Sequence, residues 1–336
     1  MKTKAALLMR PMEIKTDNVD LPPLGPLDVL VRVKACGVCP FDIRLYKGLA
    51  KTNYPKVLGH EVAGEVVEIG KEVTHIAKGD TVTLYPAVRC GNCFYCLNGQ
   101  ENLCINPKWP IGGFADYTIA PARNAYKFNK ISPQEAAFSE PLSCCMNGMM
   151  RADLQPGCDV VIIGDGPIGQ LHLQLAQSMG AGRVIVTGLM KERLERAAKL
   201  GAKTVDATGD TAKQVKEITG DLGADAVIIT VGSSAALQTA LGIVKRGGKI
   251  VQFAGIYPEV DIPIPSRFIH YSEAYITGSS DATRLQFARS LGLLENGRVK
   301  VADFVTHRYP IEQAKEAIDA AANLSGFKAM ILPSNH

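Results

Sequence analysis

Alternating apolar and polar positions dominate the first part of the chain, up to about Pro141. Three runs, VLVRVKACGV from residue 29, HEVAGEVVEIG from residue 60 and DTVTLYPAV from residue 80, are rich in β-branched residues and bounded by turn-forming residues. Runs of this kind are typical of short strands joined by turns. The pattern predicts a compact, mostly β domain whose loops carry the polar chemistry.

A different pattern begins near Leu154, where the short runs DVVIIG, RVIVTG, DAVIITVG and KIVQFAG are almost continuously apolar. The stretches QLHLQLAQSMG and KERLERAAKLG lie between them, and in both the apolar residues recur at helical spacing. Buried strands that alternate with helices predict a parallel sheet covered on both faces, so this part is an α/β domain with a doubly wound sheet. With 336 residues, 46% of them apolar, the chain is long enough for two packed cores.

Mixed character returns from about Ile276. The helical stretches RLQFARSLGLLENG and IEQAKEAIDAAANL in this tail are expected to pack on the first domain. The predicted division is therefore a first domain of residues 1–145 completed by residues 276–336, and a second domain of residues 146–275.

Charge and the N-terminus narrow the class of protein. The formal net charge is +4, and the basic residues are scattered, which does not favour nucleic acid or an anionic membrane surface as partner. The N-terminal stretch MKTKAALLMRPMEIK has too short an apolar run for a signal peptide, and no run approaches the length of a membrane span. These observations predict a cytoplasmic protein that acts on a small molecule.

A glycine-rich turn joins the first buried strand to the helix that follows it. The strand that ends at Gly164 leads directly into GDGPIG, and a helical pattern begins at once. A strand before this spacing and a helix after it predict a site for the pyrophosphate of a dinucleotide; the alternative is an ordinary glycine-rich turn. The helix N-terminus faces the negative charge. The candidate residues are Gly164, Gly166, Pro167, Ile168 and Gly169.

The end of the second buried strand bears on the choice of cofactor. A carboxylate about 20 residues beyond the glycines usually accepts the ribose hydroxyls and repels a 2′-phosphate. The expected place is Gly188, which has no side chain, whereas the cations Lys191 and Arg193 follow closely. We therefore hypothesise that NADP is preferred to NAD; the alternative is that both cations belong to a solvated helix face.

Four of the nine cysteines fall within fifteen residues of one another. Four thiolates at this spacing can surround one tetrahedral zinc ion and leave no position for a substrate, which indicates a structural zinc site. An iron–sulfur cluster is the alternative, and disulfides fit poorly with a reducing compartment. The four residues are Cys90, Cys93, Cys96 and Cys104.

Further metal-ligand residue types are spread along the first domain, at Cys39, His60, Glu61 and Glu140. They lie in the motifs GVCxxD, GHExxGxVxExG and EPL. Together with GDxV, the four-cysteine segment, GGFADY and GxGxxG, in this order, these motifs resemble the zinc-dependent medium-chain alcohol dehydrogenases along essentially the whole chain.

The resemblance implies a GroES-like, mostly β catalytic domain and a Rossmann domain, with a catalytic zinc ion between them and a structural one in the cysteine segment. Carried over by motif, Cys39, His60 and Glu140 bind the catalytic zinc, and Glu61 is an additional or exchanging ligand. Asp42 then orients His60 from behind, as carboxylates commonly do for a ligating imidazole. The resemblance also implies a homodimer or homotetramer.

Glu140 indicates which branch of the family the chain resembles. Many family members have cysteine at this position, whereas glutamate in EPL resembles the polyol (sorbitol-type) and threonine dehydrogenases. Threonine dehydrogenases carry a histidine just before the cysteine segment, where this chain reads YPAVR from residue 85, so threonine is disfavoured. A polyol or sugar-derived secondary alcohol is the expected substrate, and a polyol phosphate stays open. A zinc-free reductase would lack the ligands, and a nucleotide-binding relative without activity would usually have lost them.

Two positions depart from the family pattern for proton transfer. The usual serine or threonine two residues after the zinc cysteine is Phe41, and a histidine that some members use corresponds to Arg44. We therefore expect Glu140 or Glu61, directly or through a zinc-bound water, to accept the proton. Phe41 is expected to shape the substrate pocket, and Trp109 either lines that pocket or is structural.

Overall fold

A computed structural model describes residues 1–110 and 112–333 of the chain. It divides into two compact units, which are Met1–Pro141 with the chain from Thr283 onward, and Leu142–Ala282. Among the described residues, no helix is both long and apolar enough to cross a membrane.

Sixteen strands are formed by the described residues. In chain order they are β1 (Lys2–Arg10), β2 (Glu13–Asp20), β3 (Asp28–Gly37), β4 (Lys56–Val57), β5 (Glu61–Ile69), β6 (Thr81–Leu84), β7 (Tyr117–Pro121), β8 (Ala125–Lys127), β9 (Asp159–Ile163), β10 (Arg183–Gly188), β11 (Lys203–Asp206), β12 (Ala224–Ile229), β13 (Val244–Gln252), β14 (Tyr275–Gly278), β15 (Val305–Tyr309) and β16 (Lys328–Ile331).

Eleven α-helices occur in the same part of the chain. They are α1 (Pro40–Tyr46), α2 (Phe94–Leu97), α3 (Pro133–Ala136), α4 (Ser139–Ala152), α5 (Pro167–Ser178), α6 (Lys191–Lys199), α7 (Thr211–Ile218), α8 (Ser234–Ile243), α9 (Ser266–Ser272), α10 (Arg284–Glu295) and α11 (Ala314–Ala322). Short 3₁₀ turns cover Glu101–Leu103, Ala122–Asn124 and Ile311–Gln313.

The first unit is built on a seven-stranded sheet with the order β15-β16-β3-β5-β6-β8, to which β7 adds by pairing with β3. A smaller sheet has the order β2-β1-β4. Because strand side chains alternate between two faces, β3 and β5 bury valines and alanines inward, and α11 packs on the same core. Core residues from distant parts of the sequence include Val31, Val62, Phe114 and Ile318.

The second unit contains a six-stranded sheet with the order β11-β10-β9-β12-β13-β14, and every pair in it is parallel. The central strands β9 and β12 are buried almost throughout, as expected when helices cover both faces. The strand order reverses next to β9, so the β9–α5 turn lies where doubly wound sheets bind dinucleotides.

The boundaries between the units differ from those that the sequence predicted. The first unit ends at Pro141 instead of residue 145, within α4, and it resumes at Thr283 instead of residue 276. The second difference has a clear cause, because β14 pairs in parallel with β13 and adds a sixth strand to the sheet. The tail helices α10 and α11 belong to the first unit.

Candidate active site

Three metal-ligand side chains lie together in the first unit. The Sγ of Cys39, a ring nitrogen of His60 and a carboxylate oxygen of Glu61 all lie within 4.8 Å of one another. Glu61 is buried, and the other two are partly exposed. A thiolate, an imidazole and a carboxylate are together a donor set that suits zinc.

Asp42 holds two of these segments in place. Cys39 is the N-cap of α1, and Asp42 in the first turn of that helix accepts a hydrogen bond from the Cys39 amide at 3.0 Å. Its other oxygen accepts from the amide of Gly59 at 3.1 Å and lies 3.6 Å from Nδ1 of His60. A buried carboxylate thereby fixes the backbone on both sides of the site and faces the imidazole from behind.

The electrostatics of this group favour a cation. Burial is the largest influence on His60 and by itself lowers its pKa, but the charges of Cys39 and Asp42 raise the pKa well above its usual value. Burial likewise acts to raise the pKa of Asp42, yet His60 and two backbone amides lower it. The residues therefore fit a zinc ion, whose charge would replace the protons that Cys39 and His60 otherwise hold.

A buried ion pair adjoins this group. Nζ of Lys328 lies 2.8 Å from Oε1 and 2.6 Å from Oε2 of Glu61, and both side chains are almost fully buried. Burial is the largest influence on Lys328 and by itself lowers its pKa. The charges of Glu61 and Cys39, the hydrogen bond to Glu61 and the charge of Glu140 together raise the pKa. Lys328 thus stays charged beside Glu61.

The strand register explains why this pair forms. Gly37 at the end of β3 lies opposite Glu61 on β5 and opposite Met330 on β16. Lys328 is two residues from Met330 and therefore shares its face of the sheet. A Cβ at Gly37 would lie only 1.8 Å from Oε2 of Glu61 and 3.0 Å from Cε of Lys328, so the glycine leaves the space in which the two side chains meet.

Glu140, the remaining ligand that the resemblance implies, is buried in the first turn of α4. Among the described residues, the group of ligand atoms within 4.8 Å of one another consists of Cys39, His60 and Glu61, and Glu140 lies outside it. Its charge nevertheless acts on Lys328. The structure thus brings together three of the four candidate ligands, and the fourth lies near enough to Lys328 for its charge to raise the pKa of that lysine.

The four cysteines of the second candidate metal group lie within 4.8 Å of one another, and all are free thiols. The Sγ of Cys90 lies 3.5 Å from that of Cys104 and 3.9 Å from that of Cys96. A tetrahedral site with zinc–sulfur bonds of 2.3 Å has edges of about 3.8 Å. The spacing fits one zinc ion and gives no sign of a disulfide.

The segment around these cysteines has little packing of its own. Neither α2 nor the turn Glu101–Leu103 buries a residue. Backbone amides of Cys96 and Ile105 lower the pKa of Cys93 to about 6, whereas burial raises the pKa of Cys96 to about 12. Cys96 is therefore protonated at neutral pH without a metal ion. A metal ion bound here would supply the stabilisation that apolar contacts do not.

In the second unit, each glycine of the turn has a distinct setting. Gly164 has φ of 127°, a conformation that L side chains rarely adopt. A Cβ on Gly166 would meet only Nη1 of Arg193, at 3.8 Å, so a ligand phosphate can approach the backbone there. A Cβ on Gly169 would lie 1.9 Å from the carbonyl oxygen of Gly164, because α5 packs closely on β9. The helix begins at Pro167, followed by Ile168, with Gly166 as its N-cap. This geometry fits a dinucleotide pyrophosphate.

At the end of β10, Gly188 is covered by the side chain of Asp165. Nη1 of Arg193 lies 3.9 Å from Oδ1 of Asp165, and Arg193 is largely buried. Lys191 is 89% exposed and lies 4.0 Å from Glu195 on the next turn of the helix. Of the two candidate cations, Arg193 is therefore the one held at this end of the strand.

The two candidate pocket residues are partly exposed in the first unit. The ring of Phe41 lies edge-on to His60, 6.1 Å between centroids, and carries the guanidinium of Arg44 at 5.4 Å. Trp109 lies instead against Arg89, whose guanidinium is 5.1 Å from the indole centroid. Phe41 thus adjoins the metal-ligand group, whereas the contact of Trp109 is with the residue before the first cysteine of the other group.

Comparisons with known proteins agree with this geometry. The family described as alcohol dehydrogenase GroES-like domain matches residues 25–130, and the one described as zinc-binding dehydrogenase matches residues 167–296. The chain is 34% identical to a sorbitol dehydrogenase of Bacillus subtilis (strain 168), over 98% of this chain and 97% of the relative. It is also 34% identical to a D-arabitol-phosphate dehydrogenase of Enterococcus avium, over 90% of this chain and 89% of the relative.

A solved structure shares the whole fold. A zinc-binding dehydrogenase from Sinorhizobium meliloti 1021, bound to NADP, superposes with a TM-score of 0.94 at 31% identity, covering 99% of this chain and 100% of that one. The chain belongs to the zinc-dependent medium-chain alcohol dehydrogenase family. It is a zinc-type, NAD(P)-dependent enzyme that transfers a hydride between the cofactor and a secondary alcohol. The predicted family and the predicted fold of GroES-like and Rossmann domains are confirmed.

Sequence reasoning missed two residues of these sites. Lys328 lies 267 positions from Glu61 and belongs to no motif, so only the strand pairing reveals the contact. Asp165 stands at a variable position of the glycine turn, and the direction of its side chain is not visible in the sequence. The sequence shows that Lys328 and Asp165 are charged, but it does not show which residues they contact.

The ion pair gives a first prediction. Lys328→Met leaves the Glu61 carboxylate buried without its partner, and breaking a buried pair in this way costs about 3–5 kcal/mol. We expect the free energy of unfolding, measured by denaturant titration of the metal-free protein, to fall by this amount. The control Lys315→Met breaks the exposed pair with Asp319 and should cost less than about 1 kcal/mol. Equal losses in the two variants would contradict the assigned role.

Proposed function

We propose that the substrate is a polyol or a sugar-derived secondary alcohol, and that Cys39, His60 and Glu140 hold the catalytic zinc, with Glu61 as an additional or exchanging ligand. The observation that carries this is the group of Cys39, His60 and Glu61, fixed by Asp42 in the first unit. The similarity to sorbitol and arabitol-phosphate dehydrogenases and the glutamate at 140 support this substrate class.

The ion so held would supply Lewis acidity toward the substrate oxygen, which lowers the pKa of the alcohol. The chain's own residues orient the ligands and move the proton. Asp42 keeps His60 in place from behind, and Phe41 beside His60 narrows the substrate pocket. Glu140 accepts the proton that leaves the alcohol. Glu61 is less suited to this role, because both of its oxygens lie within 2.8 Å of the Lys328 ammonium. Trp109, which stacks on Arg89, either lines this pocket as a second aromatic residue or has a structural role.

The cofactor proposal has two parts. Each chain binds two zinc ions, the second in the group of Cys90, Cys93, Cys96 and Cys104, whose sulfur spacing supports it. NADP is preferred to NAD. Three observations support this preference: Gly188 has no side chain, Arg193 lies nearby, and the similar solved structure is bound to NADP. Asp165 opposes a 2′-phosphate at the same place, so we expect a modest preference.

The setting of the enzyme completes the proposal. We infer that it acts in the cytoplasm, where its nine cysteines stay reduced; all nine are free in the structure. The proposed assembly is a homodimer or homotetramer, and neither nucleic acid nor membrane is a partner. A polyol phosphate is the second candidate substrate, because a relative of equal identity is an arabitol-phosphate dehydrogenase. Threonine is the weaker alternative, and a nucleotide-binding relative without activity is the weakest.

The direct test of the substrate class is a panel of polyols, polyol phosphates, threonine and simple alcohols, with NAD and NADP in parallel. Reduced nicotinamide is followed by its absorbance. We expect the highest kcat/KM with a polyol and NADP. Preference for a polyol phosphate would replace the substrate class. Activity on threonine alone, or no reduction with any compound by zinc-loaded protein, would overturn the proposal.

The role of Glu140 is testable by Glu140→Gln. Removal of a proton acceptor typically lowers turnover by 10²–10⁴-fold, and we expect a loss of roughly this size together with a changed pH profile. Zinc content by mass spectrometry shows which role causes the loss, because lost zinc attributes it to the missing ligand and retained zinc attributes it to the missing proton acceptor. The exposed Glu72→Gln serves as control. Unchanged turnover and pH profile would exclude Glu140 from both roles.

The second zinc ion is testable by Cys93→Ser. We expect zinc content to fall by about one ion per chain, since a structural site needs four ligands. The segment around residues 90–104 should then become sensitive to limited proteolysis, because its helix and turn bury no residue. Cys144→Ser, which removes a thiol outside both metal groups, should change neither quantity. Intact zinc content in Cys93→Ser would contradict the site.

A further inference from the structure

Asp165 lies between the first two glycines of the turn, and its side chain fills the space over Gly188. A Cβ built on Gly188 would lie 2.2 Å from Oδ2, 2.4 Å from Cβ and 2.5 Å from Cγ of Asp165. Non-bonded carbon atoms do not approach so closely. Position 188 has no room for a side chain because a carboxylate from the turn already stands there.

The carboxylate is held firmly in this place. Oδ2 of Asp165 accepts hydrogen bonds from the backbone amides of Leu189 and Met190, both at 2.9 Å. Gln170 donates to the backbone carbonyl of Asp165 at 3.4 Å and to that of Arg193 at 2.9 Å, which ties the turn to the start of α6. Asp165 is thus fixed at the end of β10 although it comes from the end of β9.

We propose that Asp165 determines the discrimination between NAD and NADP, in place of a carboxylate at the end of β10. The end of the second strand is where a doubly wound sheet binds the adenosine ribose, and a carboxylate there accepts its hydroxyls and repels a 2′-phosphate. With Oδ2 engaged by two amides, Oδ1 is the oxygen that serves this purpose. The inference rests on the proposed binding of the dinucleotide at this turn, and it does not depend on which cofactor the enzyme prefers.

Arg193 acts in the opposite direction. Its guanidinium lies 3.9 Å from Oδ1 of Asp165 and offers a planar set of donors that matches a phosphate. Arg193 therefore attracts a 2′-phosphate, whereas Asp165 repels it. A variant in which only Asp165 is neutral keeps the attraction of Arg193 for the phosphate and removes the repulsion.

The test is Asp165→Asn in the zinc-loaded enzyme, because the amide oxygen of asparagine can still accept from Leu189 and Met190. The Kd values of adenosine 2′,5′-bisphosphate and 5′-AMP are measured by calorimetry, and kcat/KM with NADP and NAD is measured beside them. We expect both ratios to shift about tenfold toward the 2′-phosphate. The control Glu195→Gln removes an exposed carboxylate from α6, the helix that carries Arg193, and should shift neither ratio.

The outcomes separate this inference from the preceding proposal. A shift toward the 2′-phosphate in an enzyme that prefers NAD supports the role of Asp165 and removes the proposed NADP preference. Unchanged ratios in Asp165→Asn overturn the inference, whichever cofactor the parent enzyme prefers.

A second variant covers a failure of Asp165→Asn to fold. Gly188→Asp alone is unsuitable because of the contacts above, and even alanine at 165 would keep a Cβ 2.4 Å from the new one. The double variant Asp165→Gly with Gly188→Asp moves the carboxylate from the turn to the strand. We expect its ratios to stay within about threefold of the parent. A tenfold shift toward the 2′-phosphate in this variant would contradict the inference.

Discussion

The carboxylate of Asp42 connects the parts of the first unit that carry the candidate metal ligands. It caps the turn that presents Cys39, accepts from the amide of Gly59 and faces the ring of His60. Cys39 follows strand β3 and His60 precedes strand β5, so the two candidate ligands come from separate segments. A rigid sheet sets the distance between those segments, and one buried side chain sets their orientation. This division of labour allows a loop residue to be placed with the precision of a strand.

Opposite charges are distributed around the ligands so that no one of them stands alone. Glu61 is the most buried of the three grouped candidate ligands, and Lys328 pairs with it from β16, across the intervening strand β3. The ion pair places a cation beside the carboxylate that lies within 4.8 Å of the candidate ligands Cys39 and His60. Exchange of Glu61 between lysine and metal would then be a competition between two cations. The pairing of β3 with β5 and with β16 brings Lys328 and Glu61 together.

Much of the fold and part of the site were readable from local patterns. The four cysteines are close in sequence, so their grouping follows from spacing, and the glycine turn is recognised by the strand and helix beside it. The candidate ligands Cys39 and His60 lie in recognisable motifs. Strand β14 was missed because it has four residues and no buried position. Lys328 and Asp165 were missed for a different reason, since a long-range pairing and a side-chain direction have no signature in a linear pattern.

Gly37 shows how a residue without a functional group can shape a candidate site. Its only contribution is an absence of volume between Glu61 and Lys328, and a single added methyl group would occupy the line along which they meet. A larger residue at this position would require the Glu61 or Lys328 side chain to move. The chemistry of glycine gives no clue to this requirement. Catalytic sites therefore constrain evolution not only through the groups that react, but also through the empty space that those groups require.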